Sequence, residues 1–98
     1  MRYEFHPEAE QELFAAAERY EREVPGLGFR FGAEINRVIQ LLLDHPDLGS
    51  VVDEPLRHFV LRRFPFSVVY AAHVDVLLVI AIAHGSRKPD YWQERTKR

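Results

Sequence analysis

Val76-Leu-Leu-Val-Ile-Ala-Ile-Ala-His84 is apolar at eight successive positions before the histidine, and this run decides the fold. A membrane-spanning helix takes about 20 apolar residues, so the segment is too short to cross a bilayer. Its valines and isoleucines favour a strand. A strand with no polar alternation must be covered on both faces, which predicts a place inside a sheet. Gly85 ends it. Two further runs precede it, Leu56 to Arg63 and Ser67 to His73, separated by Phe64-Pro65-Phe66 and followed by Val74-Asp75. Tight connections of this kind join antiparallel neighbours.

Upstream, the periodicity changes from strand to helix. After a short strand at Tyr3 to Phe5, Pro7 suits a first helical turn, where its missing N–H would be unpaired in any case. Ala9, Leu13, Ala16, Ala17, Tyr20 and Val24 then fall on one stripe, with glutamates and arginines filling the rest. That is an amphipathic helix. Pro25, Gly26 and Gly28 break it, and Phe31, Ile35, Val38, Ile39, Leu42 and Leu43 form a second apolar face that ends at His45-Pro46. His45 to Pro55 reads as a loop, and Asp90 to Arg95 as a short terminal helix or ordered tail. The expected fold is α+β, in the order β-α-α-β-β-β, with a helical hairpin packed on a twisted antiparallel sheet. One domain over residues 1–98 is expected, because a chain of this length builds one core.

The charges are unevenly placed. Residues 1–56 carry twelve acids against five bases, and residues 57–98 carry eight bases against three acids. Eleven of the thirteen basic residues are arginine, whose planar fork suits phosphate and carboxylate. A polyanionic target or an acidic partner therefore fits, as does a solvated surface with local compensation. The chain has no cysteine, which agrees with a reducing compartment, and its first residues show no leader pattern. A cytoplasmic protein without membrane attachment is expected. No phosphate loop, dinucleotide glycine pattern or nucleophile elbow is present. His6, His45, His58, His73 and His84 are too scattered for a metal site, so neither metal nor cofactor is expected.

Chemistry-bearing residues concentrate in two segments. Arg57-His-Phe-Val-Leu-Arg62-Arg63-Phe-Pro-Phe-Ser-Val-Val-Tyr70 places arginines at both ends of a strand. Ile82-Ala-His84-Gly-Ser-Arg87-Lys-Pro-Asp-Tyr91-Trp92-Gln-Glu-Arg95 leaves the central strand with a histidine, two arginines and two aromatics. Strand ends and adjoining loops can carry function because the sheet fixes them. Plainer readings stand beside this. His84 could hydrogen-bond a loop carbonyl, Tyr70 and Trp92 could close the core with their polar atoms outward, and Arg87 could pair with Asp90 or be solvated.

The same residues carry a resemblance. Phe5-His-Pro-Glu-Ala-Glu-Gln-Glu-Leu13, Gly26-Leu-Gly-Phe-Arg-Phe31, Arg62-Arg-Phe-Pro-Phe66 with Tyr70, and Ala83-His-Gly-Ser-Arg-Lys-Pro-Asp-Tyr-Trp92 with Arg95 resemble the RelE/ParE toxin superfamily, in the same order along nearly the whole chain. The resemblance implies a growth-inhibiting toxin of a type II toxin–antitoxin pair, of the kind called plasmid stabilisation toxins. It also implies a cognate antitoxin whose C-terminal segment wraps the toxin, with operator DNA met only through the antitoxin. RelE-like members are similar to ribosome-dependent mRNA endonucleases that need no metal, whereas ParE-like members poison DNA gyrase. For the nuclease, the resemblance points to His84, Arg87 and Tyr91 as catalytic. For binding the target or antitoxin it points to Arg57, Arg62, Arg63, Tyr70, Arg87, Tyr91, Trp92 and Arg95. The only lysines are Lys88 and Lys97, so the sheet lacks the lysines of RelE-like enzymes. The ending from Arg87 to Trp92 and the long hairpin favour the ParE-like branch. A toxin relative that only binds its antitoxin is the remaining alternative.

Overall fold

A computed structural model describes residues 1–96, and Lys97 and Arg98 lie outside the described residues. The elements run β1 (Arg2–Phe5), α1 (Pro7–Glu23), α2 (Leu27–Asp44), β2 (Ser50–Asp53), β3 (Leu56–Val60), β4 (Phe66–Ala72) and β5 (Val76–His84). A 3-10 turn at Gln93–Thr96 follows them. The α+β architecture and the helical hairpin on a sheet are as expected. The sheet itself is mixed. Its order is β1-β5-β4-β3-β2, with β1 parallel to β5 and the other pairings antiparallel. Residues 50–53, expected in a loop, form the outer strand β2, paired in an irregular register with β3.

Local chemistry explains the hairpin. Pro7 opens α1, and the Nδ1 of His6 accepts the Glu8 N–H at 3.0 Å, satisfying one donor that the first turn leaves unpaired. At the far end Glu21 caps α2, its carboxylate accepting from the N–H groups of Gly26 (2.8 Å) and Gly28 (3.0 Å). Gly26 sits at φ 88°, a conformation that glycine adopts without steric cost. Gly28 is where the two helices touch. A Cβ there would strike the carbonyl of Ala17.

The hairpin covers one face of the sheet. Phe31, Ile35, Val38 and Leu42 of α2 meet Val68 and Tyr70 of β4 and Leu77, Val79 and Ile82 of β5 in the main core. A second apolar cluster lies apart from it and joins Leu56, Val69, Ala71, Ile80 and Ala81 to Trp92 of the tail. The chain's last described residues thus shield what the helices do not. Strand β5 changes face midway because Val69 pairs with Ala81 while Tyr70 pairs with Val79, leaving Ile80 as the extra residue of a bulge.

Candidate functional site

The two loops at one end of the sheet, β3–β4 and the exit from β5, are tied together by the Gly85 N–H donating to the Pro65 carbonyl at 2.7 Å. His84 ends β5 with its ring edge-on to Phe66, 4.9 Å between centroids. Its Nδ1 accepts the Ser86 N–H at 3.0 Å and lies 2.8 Å from the Ser86 hydroxyl. Only Nε2 is left to meet a ligand. Arg87 follows, its backbone held by a hydrogen bond to the His84 carbonyl and its guanidinium stacked 3.8 Å over the Tyr91 ring. His84, Ser86 and Arg87 line an open groove of about 310 Å3 against Glu12 and Arg19 of α1.

Tyr91 is not part of that groove. Its hydroxyl donates to Glu12 Oε2 at 2.7 Å. Burial, reinforced by this hydrogen bond to a carboxylate, pushes the phenol well above its usual range. Arg95 is committed to the same carboxylate, donating from Nη2 to Oε2 at 2.7 Å and from Nη1 to Oε1 at 2.9 Å, with its side chain only 7% exposed. Burial alone would raise the Glu12 carboxyl. The hydrogen bonds from Arg95, Tyr91 and the Ile82 N–H, with the Arg95 charge, outweigh it and hold the group below the usual carboxylate range.

This arrangement also seals a strand edge. β1 covers β5 only as far as Phe5 opposite Val79. Beyond that point Glu12 accepts the Ile82 N–H and Arg95 donates to the Ile80 carbonyl, each at 3.0 Å. Two side chains thereby satisfy backbone groups that a neighbouring strand would otherwise take.

The remaining candidates divide between core and surface. Tyr70 is 0% exposed. Its hydroxyl donates to the Pro46 carbonyl at 2.8 Å and accepts the Gly49 N–H at 2.9 Å. Arg57, its cross-strand partner, donates to the Gly49 carbonyl at 2.7 Å and the Asp47 carbonyl at 3.1 Å. The pair fastens the loop between α2 and β2, so these two side chains are spent within the chain. Trp92 is 5% exposed and belongs to the second apolar cluster, not to a surface rim. Arg62, Arg63 and Arg87 are exposed. Of the three proposed catalytic groups, His84 and Arg87 share a groove, while the Tyr91 ring lies under Arg87 with its hydroxyl committed to Glu12.

Sequence reasoning missed Glu12, the residue that organises the tail. Its position carried a signal, since it lies three residues after Ala9 and four before Ala16, the two buried residues of α1. A carboxylate on a buried stripe needs a cation. Among the described residues no group of three or more histidines and acids could hold a metal ion, and no helix is long and apolar enough to cross a membrane.

Comparison with known proteins bears on the whole arrangement. The family described as "ParE toxin of type II toxin-antitoxin system, parDE" matches residues 3–89. The chain belongs to the ParE toxin family. A solved structure, "Chromosomal ParDE TA system from P. aeruginosa", superposes with a TM-score of 0.73 at 18% identity, covering 86% of this chain and 95% of that one. The likeness extends to the fold. No curated protein matches the chain. His84 and Arg87 fall inside the span shared with ParE toxins, whereas Tyr91, Trp92 and Arg95 fall beyond it.

Proposed function

We propose that this chain is the growth-inhibiting toxin of a type II pair, that a cognate antitoxin neutralises it by wrapping it with a C-terminal segment, and that it works by binding and not by cutting RNA. Membership of the ParE toxin family supports the first part. The observation that carries the last is the commitment of Tyr91 and Arg95 to Glu12. Metal-free cleavage by a ribose 2′-hydroxyl needs a base, an acid for the leaving oxygen and cations on the phosphate. Here the phenol is locked to a carboxylate, and the only ring nitrogen open in the groove is Nε2 of His84. DNA gyrase is the target that the family favours, reached in the cytoplasm. Arg62, Arg63 and Arg87 remain as exposed contacts for target or antitoxin.

The test is induced expression of the chain alone and with the product of the neighbouring reading frame. Growth arrest relieved by co-expression supports a toxin, whereas normal growth in both cultures leaves only an antitoxin-binding relative. Purified chain added to a gyrase supercoiling reaction then reports on the target. A RelE-like reading keeps one supporting observation, the shared groove of His84 and Arg87. It requires transcript cleavage in translating ribosomes, lost in His84→Ala or Arg87→Ala. Intact transcripts during growth arrest exclude it.

A further inference from the structure

We propose that the end of the sheet carrying the β3–β4 turn binds the phosphodiester backbone of duplex DNA through Arg37, Arg62 and Arg63. The three arginines and Glu34 alone line a cleft of about 310 Å3. Glu34 takes Arg37 in a fork, accepting from Nε at 3.0 Å and Nη2 at 2.8 Å, which fixes that side chain and leaves its Nη1 out of the fork. Arg62 and Arg63 come from the turn opposite. Their charges reach the same carboxylate, which lies below its ordinary range chiefly because of the Arg37 hydrogen bond. One acid therefore faces three cations.

The excess is dense here, although not confined to this place. Arg2, Arg22 and Arg95 have Glu4, Glu18 and Glu12 beside them, while Arg19, Arg57 and Arg87 stand singly without an ion pair among the described residues. Among the described residues neither Arg62 nor Arg63 forms an ion pair, and Arg30, in the adjoining groove with Arg37 and Arg63, forms none either. Neighbouring clefts share lining residues. Arg62 and Arg63 line a groove that reaches Gly85, and Phe66 lines both that groove and the one holding Arg19 and Arg87. A track of separated arginines matches a polymer that carries one charge per unit, and each guanidinium can grip phosphate oxygens through two donors.

Two features choose among polyanions. The central cleft is lined by charged side chains only. Leu27, Ala33 and Phe64 lie in the adjoining groove, so an acidic amphipathic peptide could anchor beside the cleft but not in it, and polyglutamate is the competitor that tests charge alone. Single-stranded nucleic acid is held largely by bases stacked on aromatic faces. Phe64 is already packed on Phe31 and Tyr20, at 5.0 and 5.2 Å, and Phe66 on His84. A duplex presents backbone without asking for stacking, and contacts of this kind position a protein without reading sequence.

The experiment is fluorescence anisotropy of a short labelled DNA duplex with the purified full chain, across a range of salt. Binding should weaken linearly on logarithmic axes, with a slope of about −0.9 per phosphate contacted. The double variant Arg62→Gln/Arg63→Gln should bind about tenfold or more weakly, with the slope reduced by about 2. Arg2→Gln, remote from the cleft, should match the parent chain. Glu34→Gln should bind more tightly, since it removes the one negative charge. Arg2, Arg62 and Arg63 are exposed and Glu34 is half-buried, and a thermal melt followed by circular dichroism confirms that each variant is folded. The proposal is overturned by absence of saturable binding, by an unchanged slope in the double variant, or by polyglutamate or a single strand binding more tightly than the duplex. Neither growth arrest nor an antitoxin enters the measurement, so its outcome is separate from that of the toxin reading.

Discussion

Arg95 and Glu12 meet in a two-pronged ion pair, 2.7 and 2.9 Å at its two contacts, although 83 residues separate them. Both side chains are largely buried, so removing one leaves the other charged and unmatched. Arg95→Ala should cost about 2 kcal/mol of stability, less than the roughly 3–5 kcal/mol of a fully buried pair because Glu12 keeps some exposure. Trp92, the chain's single tryptophan, reports the event directly. Its emission should shift to the red in this variant under conditions where far-ultraviolet circular dichroism is unchanged. An unshifted spectrum would mean that the tail holds without the pair.

Acid should weaken the same contact. The Glu12 carboxyl lies below its ordinary value of 4.5 in the folded chain. A depressed folded value contributes stability that is present above the unfolded value and is lost as pH falls through the folded one. Urea midpoints of the parent chain should therefore drop as pH is lowered below about 4.5, and those of Glu12→Gln should drop less. Parallel curves for the two proteins would assign the acid sensitivity to other carboxylates.

Tyr70→Phe keeps the ring and deletes the hydroxyl that joins the Pro46 carbonyl to the Gly49 N–H. Loss of about 1–2 kcal/mol is expected, the penalty of leaving a buried partner unsatisfied. Amide exchange at Gly49 should accelerate more than exchange within β4. An equal change at both places would point to global and not local loosening.

Gly28→Ala tests the contact between the helices at Ala17. The added methyl would meet the Ala17 carbonyl, and backbone cannot give way as a side-chain tip can. A cost of about 1–3 kcal/mol is expected, read as a lowered thermal midpoint. Gly32→Ala, where a Cβ would find open space, should be neutral or stabilising, because it trades glycine for a better helix former.

What could be read from the sequence follows the reach of each signal. Strand β5 was legible to both ends because eight apolar residues and a terminating glycine are local facts. Its lack of alternation has a cause that is not local, the covering of both its faces, by the hairpin on one side and by Trp92 of the tail on the other. Strand β2 was hidden because four exposed residues between Gly49 and Glu54-Pro55 have no periodicity to show. The parallel placement of β1 depends on which edge of β5 lies open, which no short segment encodes. Of the site, the arginines and His84 announce themselves by type. The burial of Tyr70 and Trp92 and the role of Glu12 are tertiary, decided by which carboxylate the returning tail happens to meet.

The parallel pairing of β1 with β5 also sets an order of events during synthesis. Among the described strands β1 has one neighbour in the sheet, and that neighbour, β5, is made after the other four. The helical hairpin likewise waits, since its apolar face closes on Leu77, Val79 and Ile82. Contacts so distant along the chain form late and slowly. A nascent chain interrupted before β5 therefore holds two helices with only β4 and its neighbours beneath part of their apolar face, and the working surface comes into being only once β5 is made.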